Sequence, residues 1–335
     1  MEHEWQQVSR RRRRRRQFSS SLHSQSKAFT KVLADPVYIS LIHLITNLTF
    51  GLVGAVDEEV GAPLAEVSTA KQLQIVQRVR AIANESLRDS ALLKDALCAI
   101  VKQFHLTEAC TSLDKDAEDE RLMVVGYGLG SFCASSNAVH QLGFLVALKQ
   151  ELDKGWRLTA DTKEAAKPDG IQPTVELFDP AMNKSDAVIA EQLGMTVIQE
   201  NEHGRRKVVC NTVFFMPHCA KVLYENVLAC NWGLAVKKLV IIGNSFSAYG
   251  DRVLAAEERR EHLLEKVVPY LEEVPLPCGV AKQHENFACY EAAFNDLSVH
   301  RFSSDLLDSA LANNLDLTAT MAAVASSVDS KELEA

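Results

Sequence analysis

The stretch NTVFFMPHCAKVLYENVLACNW, Asn211 to Trp232, changes character in its middle. Its first half is a short apolar run rich in Val and Phe, too short for a helix and suited to a buried strand. Its second half, from Cys219, is an amphipathic stretch of helical spacing. Pro217 divides the two, since it ends a strand and is tolerated where a helix opens, its missing N–H being unpaired there anyway. Asn211 to Trp232 therefore reads as one strand followed by one helix.

The same unit recurs along the chain. LMVVGYG (Leu122 on), TVELFDP (Thr174 on), MTVIQEN (Met195 on) and KLVIIGNS (Lys238 on) are further short runs rich in Val, Ile or Phe. Amphipathic stretches separate them, among them SSNAVHQLGFLVALKQELD, SDAVIAEQLG and the long SAYGDRVLAAEERREHLLEKVVPYLEE, read as one helix from Ser247 to Glu273. Strand then helix, five times over, is the signature of a parallel sheet covered on both faces. Crossover handedness favours a doubly wound order. The fold class is thus α/β: a Rossmann-like, mostly parallel sheet with helices on both faces, preceded by a helical layer and a disordered basic tail.

Before the first strand, VSTAKQLQIVQRVRAIANES and LRDSALLKDALCAIVKQF place apolar residues three and four apart, which makes residues 31–108 a helical layer. LDKDAEDER, Leu113 to Arg121, is a charged break, and Lys167 to Pro173 a polar excursion after the first strand unit. ACYEAAFNDLSVHRF supplies a late strand and loop, and residues beyond 303 a weak helix fading into an acidic tail. The organisation expected is a tail over 1–30, a helical region over 31–112 packing on the main domain, that domain over 113–302, and a C-terminal segment over 303–335.

Composition sets bounds on function. The chain has 335 residues, 47% hydrophobic and 24% charged, which is ordinary globular composition. Eight cysteines without a C-x-x-C pair, and no apolar run at the amino terminus, point to a reduced, intracellular protein. The net charge of −8 hides an asymmetry, because Arg10 to Arg16 and Lys27 against Glu2 and Glu4 leave residues 1–30 at +6 and the remainder at −14. Mutual repulsion and lost hydration keep seven consecutive arginines from packing, so the block is a solvated tail, a signal for the nuclear import machinery or a weak contact for nucleic acid. An acidic body argues against nucleic acid as the main ligand. Val37 to Val56 has no formal charge and the length of a bilayer span, but His43, Thr46, Asn47 and Thr49 dilute it, and Leu41, Leu44, Ile45 and Leu48 share one helical face. It is read as a buried helix, and no membrane association is expected.

In an open parallel sheet, ligands bind outside the carboxyl ends of the strands. Each predicted strand here ends in polar or glycine-rich residues: Gly126, Gly128, Gly130 and Ser131; Asp179 and Pro180; Glu200 and Asn201; Met216, Pro217, His218 and Cys219; Asn244, Ser245 and Phe246. GYGLGS is a glycine turn through which backbone amides approach an anion or a ribose, with Ser131 in place of the third glycine of the full fingerprint. It also serves as a plain strand-to-helix turn. Asp179, a carboxylate at the next strand end, suits the two hydroxyls of a ribose, so the glycine turn and the acid together point to a nucleoside ligand.

The pair His218–Cys219 has several readings. A zinc site needs about four ligands, adjacent residues on extended backbone point to opposite sides, and His203 and His300 lack ligand spacing, so no metal is expected. Cys219 near a helix N-terminus is a thiol whose pKa the dipole lowers; equally, the pair is a helix start with His218 bonded to a neighbouring loop. In FNDLSVH, Asn295, Asp296 and Ser298 make a turn from which Asp296 orients His218 or His300 if they meet. No G-x-S-x-G elbow exists, so no serine hydrolase triad is identified.

Taken together, GYGLGSF, ELFDP, ENEHG, FFMPHC, LYENVL followed by NW, IIGNSF and AFNDLSVH resemble the sensitivity-to-red-light-reduced family, the SRR-like domain, over about residues 121–302. EWQQVSRRRRRRR is similar to the tryptophan-then-arginine tail of some members. The resemblance implies a nonenzymatic regulator connected with circadian timing and light signalling, in some lineages with haem metabolism, working through protein partners or a small ligand in nucleus and cytoplasm. It implies importance for the strand-end residues above and for Asn295, Asp296 and His300, but no catalytic role. Ala220 and Leu297 depart from the family pattern, which usually has proline and threonine there. Two other functions compete: a methyltransferase-like enzyme using S-adenosylmethionine, from the order of glycine turn, acidic second strand end and proline at the fourth, and a haem-responsive module with His218 or Cys219 as iron ligand.

Overall fold

The computed structural model describes residues 66–104, 121–154, 173–251, 263–313 and 315–326. The arginine tail, the Val37–Val56 segment, the charged break up to residue 120 and the polar excursion over 167–172 lie outside the described residues.

Five parallel strands form the centre: β1 (Leu122–Tyr127), β2 (Thr174–Phe178), β3 (Thr196–Val197), β4 (Asn211–Met216) and β5 (Leu239–Asn244). Two more, β6 (Glu272–Pro275) and β7 (Leu297–Arg301), complete a seven-stranded sheet of order β3-β2-β1-β4-β5-β7-β6. β7 runs antiparallel to both its neighbours. The chain leaves β1 towards β2 and β3 and returns on the other side through β4, so the direction of winding reverses between β1 and β4. Such a reversal opens a crevice at the carboxyl ends of the strands.

Side chains alternate across the sheet, and both faces are covered. Val124, Val213, Phe215, Val240 and Ile242 enter one core; Val125, Phe214, Met216, Leu239 and Ile241 enter the other. This explains why β4, with both faces buried, reads as unbroken apolar sequence. The first core is closed by α1 (Thr69–Ala81), α2 (Ala91–Phe104), α3 (Ser136–Asp153), α4 (Lys184–Gln192) and α8 (Phe287–Phe294), and the second by α5 (Lys221–Cys230), α7 (Leu263–Val267), α9 (Ser304–Asn313) and α10 (Leu315–Ser326). A short helix, α6 (Ser247–Asp251), follows β5.

The helical layer predicted ahead of the sheet is present as α1 and α2. Ser68 caps α1 by accepting from Lys71 N, and the helix runs on into a π-helical turn over Ile82–Leu87. That turn lies against Gly143 of α3, where a Cβ would fall 2.5 Å from Ile82 Cγ2. The glycine thus permits α1 and α3 to approach closely, which a side chain there prevents.

Two expectations need correction. The stretch from Ser247 to Glu273 is not helical to its end: after α7 a 3₁₀ turn follows over Val268–Tyr270, and Glu272–Pro275 is a strand, while residues 252–262 lie outside the described residues. Pro269 accounts for the end of α7, since it lacks an N–H to continue the α-helical ladder, and the chain goes on as the 3₁₀ turn instead. The C-terminal segment is helical over its described part, with Leu307, Ala310, Leu317 and Met321 buried against the second core, and its acidic end lies outside the described residues. The third strand is only two residues long, so Glu200 and Asn201 lie beyond its end rather than at it. Among the described residues no helix is long and apolar enough to cross a membrane.

Candidate functional site

The ends of β1, β2, β4 and β5 bring most of the predicted residues to one rim. Gly128 and Gly130 have φ of 73° and 80°, left-handed backbone that glycine adopts without penalty. The turn is anchored on β2, since Gly128 N donates to Phe178 O at 3.1 Å and Gly130 N to Asp179 Oδ2 at 2.8 Å. The other oxygen, Asp179 Oδ1, accepts from Ala181 N at 2.8 Å. Gly126 lies beneath, where a Cβ would meet Leu177 at 2.8 Å, so this glycine serves packing. Above Gly130 the space is open, with nothing within 4 Å of a built Cβ. Ser131 is buried, and its Oγ accepts from Cys133 N at 3.2 Å rather than facing the rim as a free hydroxyl.

β4 ends on buried Met216 and Pro217, and the chain then turns through His218 in left-handed backbone, φ 56°. A non-glycine residue there is strained by about 1–2 kcal/mol, and it is held from two sides. Asn244 Oδ1 accepts from His218 N at 2.7 Å, and His218 Nε2 lies 3.2 Å from Ala293 O. Asn244 Nδ2 donates in turn to Cys219 O and Tyr249 Oη, at 3.3 and 3.2 Å. Asn244 therefore ties the end of β5 to the turn after β4.

Cys219 corrects the reactive-thiol reading. It is buried, its Sγ donates to Tyr127 O at 3.3 Å, and α5 begins only at Lys221 with Ala220 as its cap. Burial pushes the thiol pKa far up and the nearby Asp179 charge adds to the rise. The dipole is outweighed because removing a thiolate from water costs more than a helix end returns.

Because β7 is antiparallel, the loop before it meets the ends of the parallel strands. Asn244 is in register with Leu297, and Ser245 N donates to Asp296 O at 3.0 Å. Asn295 and Asp296 are both exposed, Asp296 with φ 57°. Asp296 does not bring the two histidines together. His218 turns to Ala293, while His300 is fully buried, stacked on Phe246 at 3.8 Å between centroids, with Nδ1 3.2 Å from Ile241 O and Nε2 3.8 Å from Glu273 Oε1. Ser245 Oγ caps α6 through Ala248 N. Glu200 and Asn201 are exposed past the edge strand, and Asn201 Oδ1 accepts from His203 N, closing a local turn.

Sequence reading passed over two polar groupings, the first half-buried and the second buried. Arg206 bonds both Glu202 and Glu176, and Glu202 also takes the Tyr127 hydroxyl, which fastens the loop after β3 over the sheet. Burial, together with the Glu202 bond and charge, pushes the Tyr127 pKa well up. Tyr224 Oη donates to Met216 O and accepts from Asn244 N at 3.0 Å. The signal for the first was a charged residue, Glu176, and a phenol, Tyr127, inside buried strands, and for the second a tyrosine on the apolar face of α5, each a polar group that needs a partner when removed from water. Among the described residues no group of three or more His, Cys, Asp or Glu is placed to hold a metal ion.

Comparison with known proteins adds the following. A family model described as the SRR1 domain matches residues 90–301. The match thus begins ahead of α2, which the motifs had left outside. The chain is 30% identical over 189 residues to Protein SENSITIVITY TO RED LIGHT REDUCED 1 of Arabidopsis thaliana, covering 56% of this chain and 61% of that protein. It is 29% identical over 195 residues to an SRR1-like protein of Mus musculus, covering 57% and 70%, and 24% identical over 185 residues to an SRR1-like protein of Drosophila melanogaster, covering 55% and 56%. The chain thus spans less than two thirds of the plant and fly relatives. No solved structure matches it.

Proposed function

The chain belongs to the SRR1-domain family, and on that premise we propose that it is a nonenzymatic regulator whose Rossmann-like domain binds a small nucleoside-type ligand at the ends of β1, β2, β4 and β5. The observation that carries the ligand reading is the bond from Gly130 N to Asp179 Oδ2 at 2.8 Å, beside open space above Gly130. It puts a glycine turn and a carboxylate side by side next to the point where the winding reverses, the position at which sheets of this kind hold nucleotides. The name of the Arabidopsis relative connects that protein with sensitivity to red light; for this chain we carry over a regulatory role in light or circadian signalling, exerted through protein partners. Arg10 to Arg16 supply the address to the nucleus, with the remaining pool cytoplasmic.

A ligand that binds only the folded state raises its melting temperature by mass action. A thermal-shift panel of nucleosides, S-adenosylmethionine, nicotinamide cofactors and haem therefore tests the crevice, and a transition unmoved by every member removes it. Deleting Arg10 to Arg16 is expected to lower nuclear accumulation of a fluorescent fusion; an unaltered distribution counts against the import role.

A second reading, a methyltransferase-like enzyme, draws on the sheet itself. An antiparallel β7 lodged between β5 and β6 beside a parallel core resembles the sheet of S-adenosylmethionine-dependent methyltransferases. Against it stands the fourth strand end, where fully buried Met216 precedes Pro217 in place of an acid or amide. The haem reading finds less support. His218 Nε2 is directed at Ala293 O and Cys219 Sγ at Tyr127 O, so each candidate ligand atom is already engaged.

A further inference from the structure

Two adjacent arginines in the loop between β3 and β4 have opposite surroundings. Arg206 is spent on two carboxylates: its Nε donates to both oxygens of Glu202, at 3.1 and 3.0 Å, its Nη2 to Glu202 Oε1 at 3.0 Å, and its Nη1 to Glu176. Arg205 reaches neither. Its main-chain N–H donates to Glu202 O at 2.7 Å, but its side-chain Nε and Nη2 are buried and bond nothing. Those two nitrogens share one edge of the guanidinium, the edge that receives both oxygens of a carboxylate or phosphate side by side. Buried donors in native folds are bonded as a rule, and an exception calls for a ligand, an ion or a water. We propose that Arg205 is the fork of an oxyanion-binding site where this loop meets the end of α5, taking the paired oxygens of a carboxylate or a phosphate. The site uses none of the crevice residues and stands apart from the function proposed for them.

The end of α5 is where the fork stands. Burial pushes the Cys230 thiol up to about 11, while the charges of Lys207 and Arg205 pull the other way, so both cations lie close to it. A helix carboxyl end attracts cations by itself, and that plain alternative accounts for the charge. It leaves the fork unexplained, because the acceptors there serve other donors. Val227 O accepts from Asn231 Nδ2 at 2.8 Å, and Leu228 O from Asn231 N at 3.3 Å. Arg206 O accepts from Asn231 Nδ2 at 2.9 Å and from Cys230 Sγ at 3.3 Å. Glu202, the carboxylate of the same loop, is held by Arg206 and the Tyr127 hydroxyl. Among the described residues four buried side-chain atoms bond nothing, and three of them belong to this junction: Arg205 Nε and Nη2, and Nε1 of Trp232, which follows directly on Asn231. Guanidinium and indole donate and cannot accept. Their common partner is therefore an acceptor, which selects an anion and rejects a metal ion. Exposed Lys207 adds a second positive charge to the same loop.

Isothermal titration of the full chain with inorganic phosphate and with citrate, each against chloride buffer of matched ionic strength, tests this. At least one of the two is expected to bind, and which one identifies the oxyanion that the fork prefers. Arg205→Lys keeps the charge but loses the fork, and is expected to weaken binding at least about 10-fold. Lys207→Gln removes an exposed charge and is expected to weaken it by no more than about 3-fold. Contacts of either anion with Arg10 to Arg16 are common to all these proteins and cancel in the comparison. Equal losses in the two variants, or binding that Arg205→Lys leaves intact, would mean diffuse attraction and overturn the proposal. Binding of neither anion overturns it too, and leaves water as the partner of the fork. Arg205→Met keeps the test independent of folding, since removing an unpaired buried charge is expected to hold or raise the melting temperature in chloride. The same variant is expected to lose the rise that phosphate or citrate gives the parent. A fall of more than about 5 °C in chloride alone would show that Arg205 already has a structural partner within the chain, which also decides against the site.

Discussion

The Sγ of Cys219 occupies the place that a side chain on Gly128 would need, 2.5 Å from a Cβ built there. The same sulfur donates to Tyr127 O, so the turn after β1 and the turn after β4 interlock through one thiol. Gly128→Ala is expected to destabilise by about 2–4 kcal/mol, the cost of left-handed backbone plus overpacking. Gly130→Ala carries the backbone cost alone, about 1–2 kcal/mol, because nothing stands within 4 Å of its Cβ. Urea denaturation of both variants measures the difference, and adding Cys219→Ala to Gly128→Ala should return only the packing part. Equal losses at the two glycines would show that the thiol does not set the fit.

Cys219 is expected to resist modification despite its place before a helix. Its thiol is buried and burial raises its pKa, so at neutral pH it carries almost no thiolate. Cys98 is exposed. Limited alkylation with iodoacetamide, read by peptide mass spectrometry, should label Cys98 first and Cys219 only under denaturing conditions. Early labelling of Cys219 in the folded protein would restore the reactive-thiol reading.

These two cases show what the sequence carried and what it withheld. The parallel strands were legible because each is an apolar run broken by polar or glycine residues, and Val213 to Met216, fully buried, is the plainest of them. β6 was not, since EEVP has two charged residues and a proline, and becomes a strand only because β7 offers Arg301 and His300 opposite Glu272 and Glu273. The gathering of Gly130 with Asp179 followed from strand order, and strand order follows from crossover handedness. What local pattern could not give was desolvation: the difference between a Cys219 poised at a helix start and one sealed beneath a glycine turn lies in residues that arrive from β1, far away in the chain. That Asn244 ties two strand ends together was hidden for the same reason.

Tyr224→Phe tests whether that tie depends on its hidden hydroxyl. The phenol bonds Met216 O and Asn244 N, the last backbone groups of β4 and β5. The phenyl ring keeps its edge contact with Phe246 but leaves both groups unpaired. A loss of about 2–4 kcal/mol is expected from two buried backbone groups without partners, with faster hydrogen exchange at the amide of Asn244. A loss below about 0.5 kcal/mol would mean that water or a shifted backbone replaces the hydroxyl.

Glu273 sets a pH dependence of stability. Burial by itself would raise its carboxyl pKa, but the His300 ring, whose Nε2 lies 3.8 Å away, and the neighbouring Ser245 and Ser247 outweigh it and hold the group well below the usual carboxylate range. Ser247 contributes both its N–H, at 3.0 Å, and its hydroxyl, at 2.6 Å. The unfolded chain titrates this group near the ordinary glutamate value of about 4.3. Below that value the unfolded state takes up a proton that the folded state refuses, so the contribution of Glu273 is complete above about pH 4.3 and is lost as pH falls towards the depressed folded pKa. Glu273→Gln is therefore expected to be less stable than the parent at pH 7, with the difference narrowing steadily between about pH 4 and pH 2. Denaturant midpoints across that range supply the measurement, and parallel curves for the two proteins would show that Glu273 titrates alike in the folded and unfolded chain.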